Sequence, residues 1–443
     1  MSDICRDDRR LVWHPFTQMA DYEDSEPVVV ESAQGAWLTD TRGRRYLDAN
    51  SSLWVNLHGH RHPALDAAVR DQLAKVAHST LLGLANAPSV ELARLLVDAA
   101  PPGLAHVFYS DSGSEAVEVA LKIAFQYWKL RGEDRRLFLK LQNGYHGDTL
   151  GAVSVGGMPL FHGVWGPLLF ETLAAPCPSC YRCQLGLEPS TCGMACADVL
   201  ERLLKEHRGR VAAVIMEPLI QMAAGMLTHP PGYLRRVREA TEEAGVLLII
   251  DEVATGFGRT GRLFACEHEG VSPDVLCLAK GITGGYLPLS ATLVTDEIYE
   301  TFKGDSSRTF FHGHSYTGNQ LASAVAVASL ELLCREGFFW ELAPKMDALR
   351  DGLAELAGHP AVGDVRRCGF VAGIELVRNR GTKELFPEAD RVGWRVCAAA
   401  RGHGVMTRPL GDVVVVMPPY CVTQEEVAAI VSGLSAALRE VLG

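Results

Sequence analysis

The sequence predicts an α/β protein in which a large domain, built on a mainly parallel sheet, is joined by a small α+β domain drawn from both chain ends. Three observations carry this reading. Between about residues 105 and 330, short β-rich runs alternate with stretches of helical periodicity, which is how a parallel sheet covered by helices on both faces is written. Outside that block the pattern changes, to a meander near the start and to strands with a closing helix at the end. The 443 residues, 48% hydrophobic and without a low-complexity tract, suit two domains better than one small core.

Within the large block the strand candidates are 106–110 (HVFYS), 136–141 (RLFLKL), 211–218 (VAAVIMEP), 246–251 (VLLIID) and 274–280 (DVLCLAK). Helical periodicity marks 112–130 and 232–245. The meander covers 28–48, with a turn at TRGR, and the final part carries strands in VRRCGFVAGIEL and DVVVVMPP. A last helix begins near Thr423, whose TQEE reads as a capping box. The expected division is an N-terminal segment (1–60) belonging to the small domain, a large domain (61–330) with a Cys-rich insertion at 177–196, and a C-terminal small domain (331–443).

Bulk properties narrow the function. A net charge of -11 argues against a nucleic-acid partner, because phosphate backbones need a basic face. The apolar runs at 246–250 and 413–416 are strand-sized, far below the roughly 20 residues of a membrane span. No export signal is read at the N-terminus, and twelve cysteines then point to a reducing cytosol, with thiols free or on metal rather than in a disulfide frame. Small-molecule chemistry in the cytoplasm is the expectation.

Open α/β sheets bind ligands beyond the carboxyl ends of their strands. Four such places carry suitable residues. Gly113 and Ser114 follow the strand at 106–110 and open a helix, so they offer N–H groups to a phosphate, although Ser beside an acid is also an ordinary cap. Asp251 ends VLLIID: a charged carboxylate there needs a cationic partner, which a protonated ring nitrogen or a structural ion pair would equally supply. Lys280 ends DVLCLAK, 29 residues after Asp251, a spacing that fits neighbouring strands facing one ligand; desolvation would make its amine a nucleophile, while a surface lysine is the ordinary alternative. Tyr145, flanked by glycines after RLFLKL, can stack on a flat ring or serve as core.

Taken in order, DSGSEAVEVALK, NGYHGDT, IMEP, IIDEVATGFGRTG and LAKGITGGYLP resemble the class III aminotransferases of pyridoxal-5′-phosphate (PLP) fold type I, nearly end to end. The resemblance implies a seven-stranded, mainly parallel large-domain sheet, a PLP cofactor and a homodimer with shared sites. Lys280 matches the lysine linked to the cofactor aldehyde and Asp251 the partner of its ring nitrogen. Tyr145 matches the stacking residue, and Gly113 and Ser114 the phosphate loop. His314 and Ser315 match phosphate contacts lent by the neighbouring subunit, and Gly313 adjoins the substrate.

Within the family, WHPFTQM, SSLWVNLHGHRHP, FGRTGRLFACEH and MPPY resemble the branch that converts 8-amino-7-oxononanoate (KAPA) to 7,8-diaminononanoate in biotin synthesis. Arg408 then matches the arginine that grips the KAPA carboxylate, and Phe16, Leu53 and Trp54 the donor pocket. Users of S-adenosylmethionine resemble SSWW with a tyrosine earlier; Leu53 and Phe16 depart from that and resemble the branch that uses L-lysine, the favoured donor here. The alternatives are an ω-amino acid or diamine transaminase, and a Cys-rich metal or redox-sensing protein on an inactive fold. For Cys177, Cys180, Cys183, Cys192 and Cys196 the expectation is thiols on a surface loop, with no metal.

Overall fold

The structure, a computed structural model, describes residues 3–443; the first two residues of the expected N-terminal segment lie outside the described residues. Near the start, β1 (Val30–Gln34), β2 (Trp37–Asp40) and β3 (Arg45–Asp48) form the expected meander, closed by the turn at Thr41–Arg44. The large sheet follows with β4 (Leu104–Ser110), β5 (Leu137–Leu141), β6 (Thr172–Ala175), β7 (Val211–Met216), β8 (Leu247–Asp251), β9 (Val275–Leu278) and β10 (Ser290–Thr295). After it come β11 (Val362–Cys368), β12 (Val371–Leu376), β13 (Val405–Met406), β14 (Pro409–Leu410) and β15 (Val413–Val416). The helices needed below are α1 (Gly113–Leu130), α2 (Gln320–Cys334), α3 (Phe338–Leu356), α4 (Val392–Gly402) and α5 (Gln424–Leu442).

The large sheet has seven strands in the order β4-β10-β9-β8-β7-β5-β6. Every neighbouring pair is parallel except the two that involve β10. β7, β8 and β9 are buried at every position. Helices cover both faces, so no alternation of apolar and polar residues survives in those strands.

Two of the seven strands were not read in the sequence. β10 (SATLVT) carries hydroxyls at buried positions, which disguises it, and Thr292 Oγ1 satisfies itself by donating to Ala116 O in α1 at 2.9 Å. β6 is a four-residue edge strand. Two expected strands also stop early. β7 ends at Met216 rather than 218, and β9 at Leu278 rather than 280.

The chain ends meet in one sheet. β13 pairs parallel to β3, Val405 opposite Leu47 and Met406 opposite Asp48, extending the meander to four strands. β11, β12, β15 and β14 form a separate antiparallel sheet. α5 packs against α3 and α4, and one apolar cluster runs from Leu248 and Leu276 in the large sheet to Leu434 and Leu438 in α5. Among the described residues no helix is long and apolar enough to cross a membrane.

The predicted cap at Thr423 is present, and a second stands at Ser112 rather than at Ser114. Ser112 Oγ accepts the Glu115 N–H while Glu115 Oε2 accepts the Ser112 N–H at 2.8 Å, and Thr423 and Glu426 repeat the arrangement at α5. Removing the distal cap is expected to act on stability. Thr423→Ala should lower unfolding free energy by about 1 kcal/mol in a urea titration.

Candidate active site

The carboxyl ends of β4, β5, β7, β8 and β9 open on one edge of the sheet, and each delivers a polar residue there. Gly113 and Ser114 come after β4, Tyr145 and His146 after β5, Glu217 after β7, Asp251 at the end of β8 and Lys280 after β9. All seven line one cavity of about 140 Å³, whose wall is completed by Trp54. β8 and β9 are neighbours, with Asp251 opposite Cys277, as the 29-residue spacing required.

Lys280 does not extend its strand. It sits at φ 47, in the left-handed region, and begins a short 3₁₀ turn, Lys280–Thr283. Opposite it, Ser51, Ser52 and Trp54 also have positive φ, at 48, 61 and 67. Non-glycine residues are held in such conformations only where the surrounding structure over-determines them. Two of them, Lys280 and Trp54, line the cavity itself.

Electrostatics then decide what the amine and the acids can do. Burial lowers the Lys280 pKa, opposed by the charges of Asp251, Glu217 and Asp148. Its Nζ lies 5.4 Å from the centre of the Trp54 ring. Asp251 Oδ2 stands 2.7 Å from His146 Nδ1, and Oδ1 accepts the Val253 N–H at 3.0 Å. His146 Nε2 is buried without a hydrogen-bond partner among the described residues.

Tyr145 is held at both ends. Its hydroxyl donates to Asp148 Oδ2 at 2.7 Å, and its N–H donates to Glu217 Oε1 at 3.1 Å. Glu217 Oε2 accepts the Met222 N–H at 3.0 Å. Burial pushes the Glu217 carboxyl up to about 7, against the pull of His146.

Of the residues singled out in the sequence, Lys280, Asp251, Tyr145, Gly113, Ser114 and Trp54 meet in the cavity. Phe16 and Leu53 do not line it and are 51% and 42% exposed. Phe16 connects to it through Phe161, whose ring makes edge contacts with Phe16 at 5.4 Å and Tyr145 at 6.3 Å. Gly313, His314 and Ser315 stand outside the cavity of their own chain; His314 Nδ1 lies 3.6 Å from Asp111 Oδ2, and Ser315 O accepts from His78 Nε2 at 2.8 Å.

Arg408 is half-buried just before β14, and burial lowers its pKa. No hydrogen bond or ion pair engages its guanidinium among the described residues. The thiols are not all at the surface as expected. Cys177 is buried, and its Sγ donates to Gln221 Oε1 at 2.8 Å, tying the segment to the floor beneath Gln142, whose carbonyl accepts from Gln221.

His146, Glu217 and Phe161 carry contacts to which the sequence assigned no role. Glu217 could have been found, since the strand-end rule that located Asp251 applies equally to the acid after VAAVIM. His146 could not, because its partner is on another strand.

A buried lysine amine, an acid and an aromatic face at the carboxyl edge of this sheet define a PLP-dependent aminotransferase. The chain belongs to the class-III aminotransferases, whose family model matches residues 18–438.

Its similarity to particular proteins is close. It is 55% identical over 436 residues to the adenosylmethionine-8-amino-7-oxononanoate aminotransferase of Nitratidesulfovibrio vulgaris, covering 97% of this chain and 80% of that one. The solved structure of the Methanocaldococcus jannaschii enzyme of the same name superposes with a TM-score of 0.95 at 43% identity, over 99% of both chains. An (S)-enantioselective omega-transaminase from Thermomicrobium roseum gives 0.95 at 36% identity, over 100% of this chain and 99% of its own.

The cavity fits PLP on its own geometry. The N–H groups of Gly113 and Ser114 precede the first backbone bond of α1, made by Ala116, and so remain for a phosphate. Glycine is required at 113, where a Cβ would stand 2.6 Å from Val253 Cγ1 and fill the cradle. Asp251 can hold a ring nitrogen, Tyr145 a ring face and Lys280 an aldehyde carbon.

The raised Glu217 pKa has a signed consequence. Its folded value, about 7, lies above the unfolded 4.5, so stability from this group is full below 4.5 and is lost as pH rises to 7. In Glu217→Gln that slope should vanish, so urea unfolding should show the variant gaining on wild type across this window and nowhere else. Its overall stability should be lower, because the amide turns one N–H donor toward a backbone N–H.

Proposed function

We propose that this enzyme transfers an amino group to KAPA, forming 7,8-diaminononanoate for biotin synthesis, with L-lysine as donor, as a homodimer. The carrying observation is a half-buried guanidinium, Arg408, with no carboxylate of its own, in a protein whose reactive amine is buried beside Asp251. A planar fork of donors without a partner suits the carboxylate of an amino acid or keto acid. The names of the Nitratidesulfovibrio and Methanocaldococcus relatives support the acceptor.

PLP, when bound, supplies an electron sink for the charge that develops at the substrate's amino-bearing carbon. The chain supplies the rest. Lys280 Nζ, whose burial favours the neutral amine, takes the proton from that carbon and returns it. Asp251 is oriented by contacts at both oxygens, with His146 Nδ1 and the Val253 N–H, to face a ring nitrogen. Tyr145, braced by Asp148 and Glu217, keeps its ring plane fixed. Gly113 and Ser114 bind phosphate, joined by His314 and Ser315 of the partner subunit, with Gly313 beside the substrate. One cavity must accept donor and acceptor in turn, which is a ping-pong scheme.

For the donor, Leu53 in place of a second tryptophan and Phe16 in place of tyrosine support lysine, while the relatives' names specify adenosylmethionine. An ω-amino acid or diamine substrate is the second reading, favoured by the likeness to the Thermomicrobium enzyme.

Purified holoenzyme with KAPA should form diaminononanoate, read by mass spectrometry, at least about tenfold faster with lysine than with adenosylmethionine. Turnover with adenosylmethionine alone would refute the donor, and no product with either would refute the acceptor. Arg408→Met should raise KM for KAPA by roughly 10- to 100-fold through loss of a charged hydrogen-bond pair. Lys280→Ala should abolish turnover and, after borohydride reduction and unfolding, leave no cofactor covalently attached to the protein, read by intact-protein mass spectrometry.

A further inference from the structure

The turn at 157–162 lies outside every motif assigned above, yet it is locked onto the Tyr145 loop. Gly157 N–H donates to Gly144 O at 2.7 Å, and Asn143 N–H donates to Gly157 O at 3.0 Å. Only glycine allows this approach, since a Cβ at 157 would stand 2.7 Å from Leu141 O and 2.8 Å from Asn143 N. Met158 then packs with Tyr145 on the apolar cluster of Trp54, Met222 and Ala223, of which Trp54 and Ala223 line the cavity.

The short helix that follows, Pro159–His162, carries two rings. His162 is 5% exposed, and its ring lies within 17° of parallel to that of Tyr145, at 5.9 Å. Neither of its nitrogens has a hydrogen-bond partner among the described residues, and burial lowers its pKa, so it packs as a neutral flat spacer. Phe161 stands between Tyr145 and Phe16, edge-on to both. Phe16 itself has φ 51 and lies between helices Asp3–Leu11 and Met19–Glu23, with no ladder to hold it.

We infer that Phe161 is a specificity-determining residue: with Phe16 it forms an apolar wall against which the hydrocarbon chain of the acceptor packs. This rests on the functional reading above, in which the acceptor has several methylenes between its reacting carbon and its carboxylate. Such a chain offers no hydrogen bonds, so its length is read by buried apolar area alone. A phenylalanine fixed by the clamp at Gly157 presents that area at little entropic cost.

The test titrates KAPA, and analogues shorter by one and two methylenes, into the amine-loaded holoenzyme and measures Kd. In wild type, affinity should fall about fourfold for each methylene removed. In Phe161→Ala the step should shrink below about twofold, Phe161→Leu should restore part of it, and the visible spectrum of the bound cofactor should be unchanged in both. A wild-type-sized step in Phe161→Ala overturns the inference, and so does a shrunken step accompanied by a changed spectrum, which would mean that the ring acts on Tyr145 instead. Failure of wild type to bind or aminate KAPA would overturn the functional reading, and the inference with it.

Discussion

Placing an amine and a carboxylate together at a buried sheet edge is the constraint on which the rest of this structure depends. Burial favours the neutral form of both, lowering the Lys280 pKa and, unopposed, raising that of an acid. Asp251 is held from both sides, by His146 Nδ1 at 2.7 Å and the Val253 N–H at 3.0 Å. Glu217 beside it, fully enclosed, yields to burial despite two backbone N–H donors and sits near 7.

Holding such groups apart in character requires a rigid frame. The three central strands, buried at every position, supply it. Strained backbone at Lys280, Trp54 and the two serines before it is tolerable only against that frame. The glycines at 113 and 157 serve the same end, each permitting one segment to approach another more closely than a side chain allows. The sheet shared by β3 and β13 joins the segment leading to Trp54 with the segment leading to Arg408.

Much of this was legible in the sequence because strand ends announce themselves. An unbroken apolar run followed by a single acid, as in VLLIID, has one physical meaning in an open parallel sheet. The cap at Thr423 was equally legible, since a capping box is a local bond between residues three apart. β10 was not, because its serine and threonines look solvated until α1 supplies a carbonyl to receive a hydroxyl. Cys177 was not either: its thiol faces Gln221, 44 residues away, and nothing in the spacing of cysteines shows that.

The sequence by itself determined the class of fold, the strand-end positions of Asp251 and Lys280 and the start of α1 at Gly113, since these depend on local propensity and on pattern within one element. The tertiary structure alone decided which nitrogen stands against Asp251, which residues brace Tyr145, and that the turn at 157–162 is clamped beside it. Those contacts join residues as far apart as His146 and Asp251, 105 positions along the chain. Hydrogen bonds and ring contacts act over a few ångströms of space, and distance along the chain does not encode such proximity until the sheet has formed.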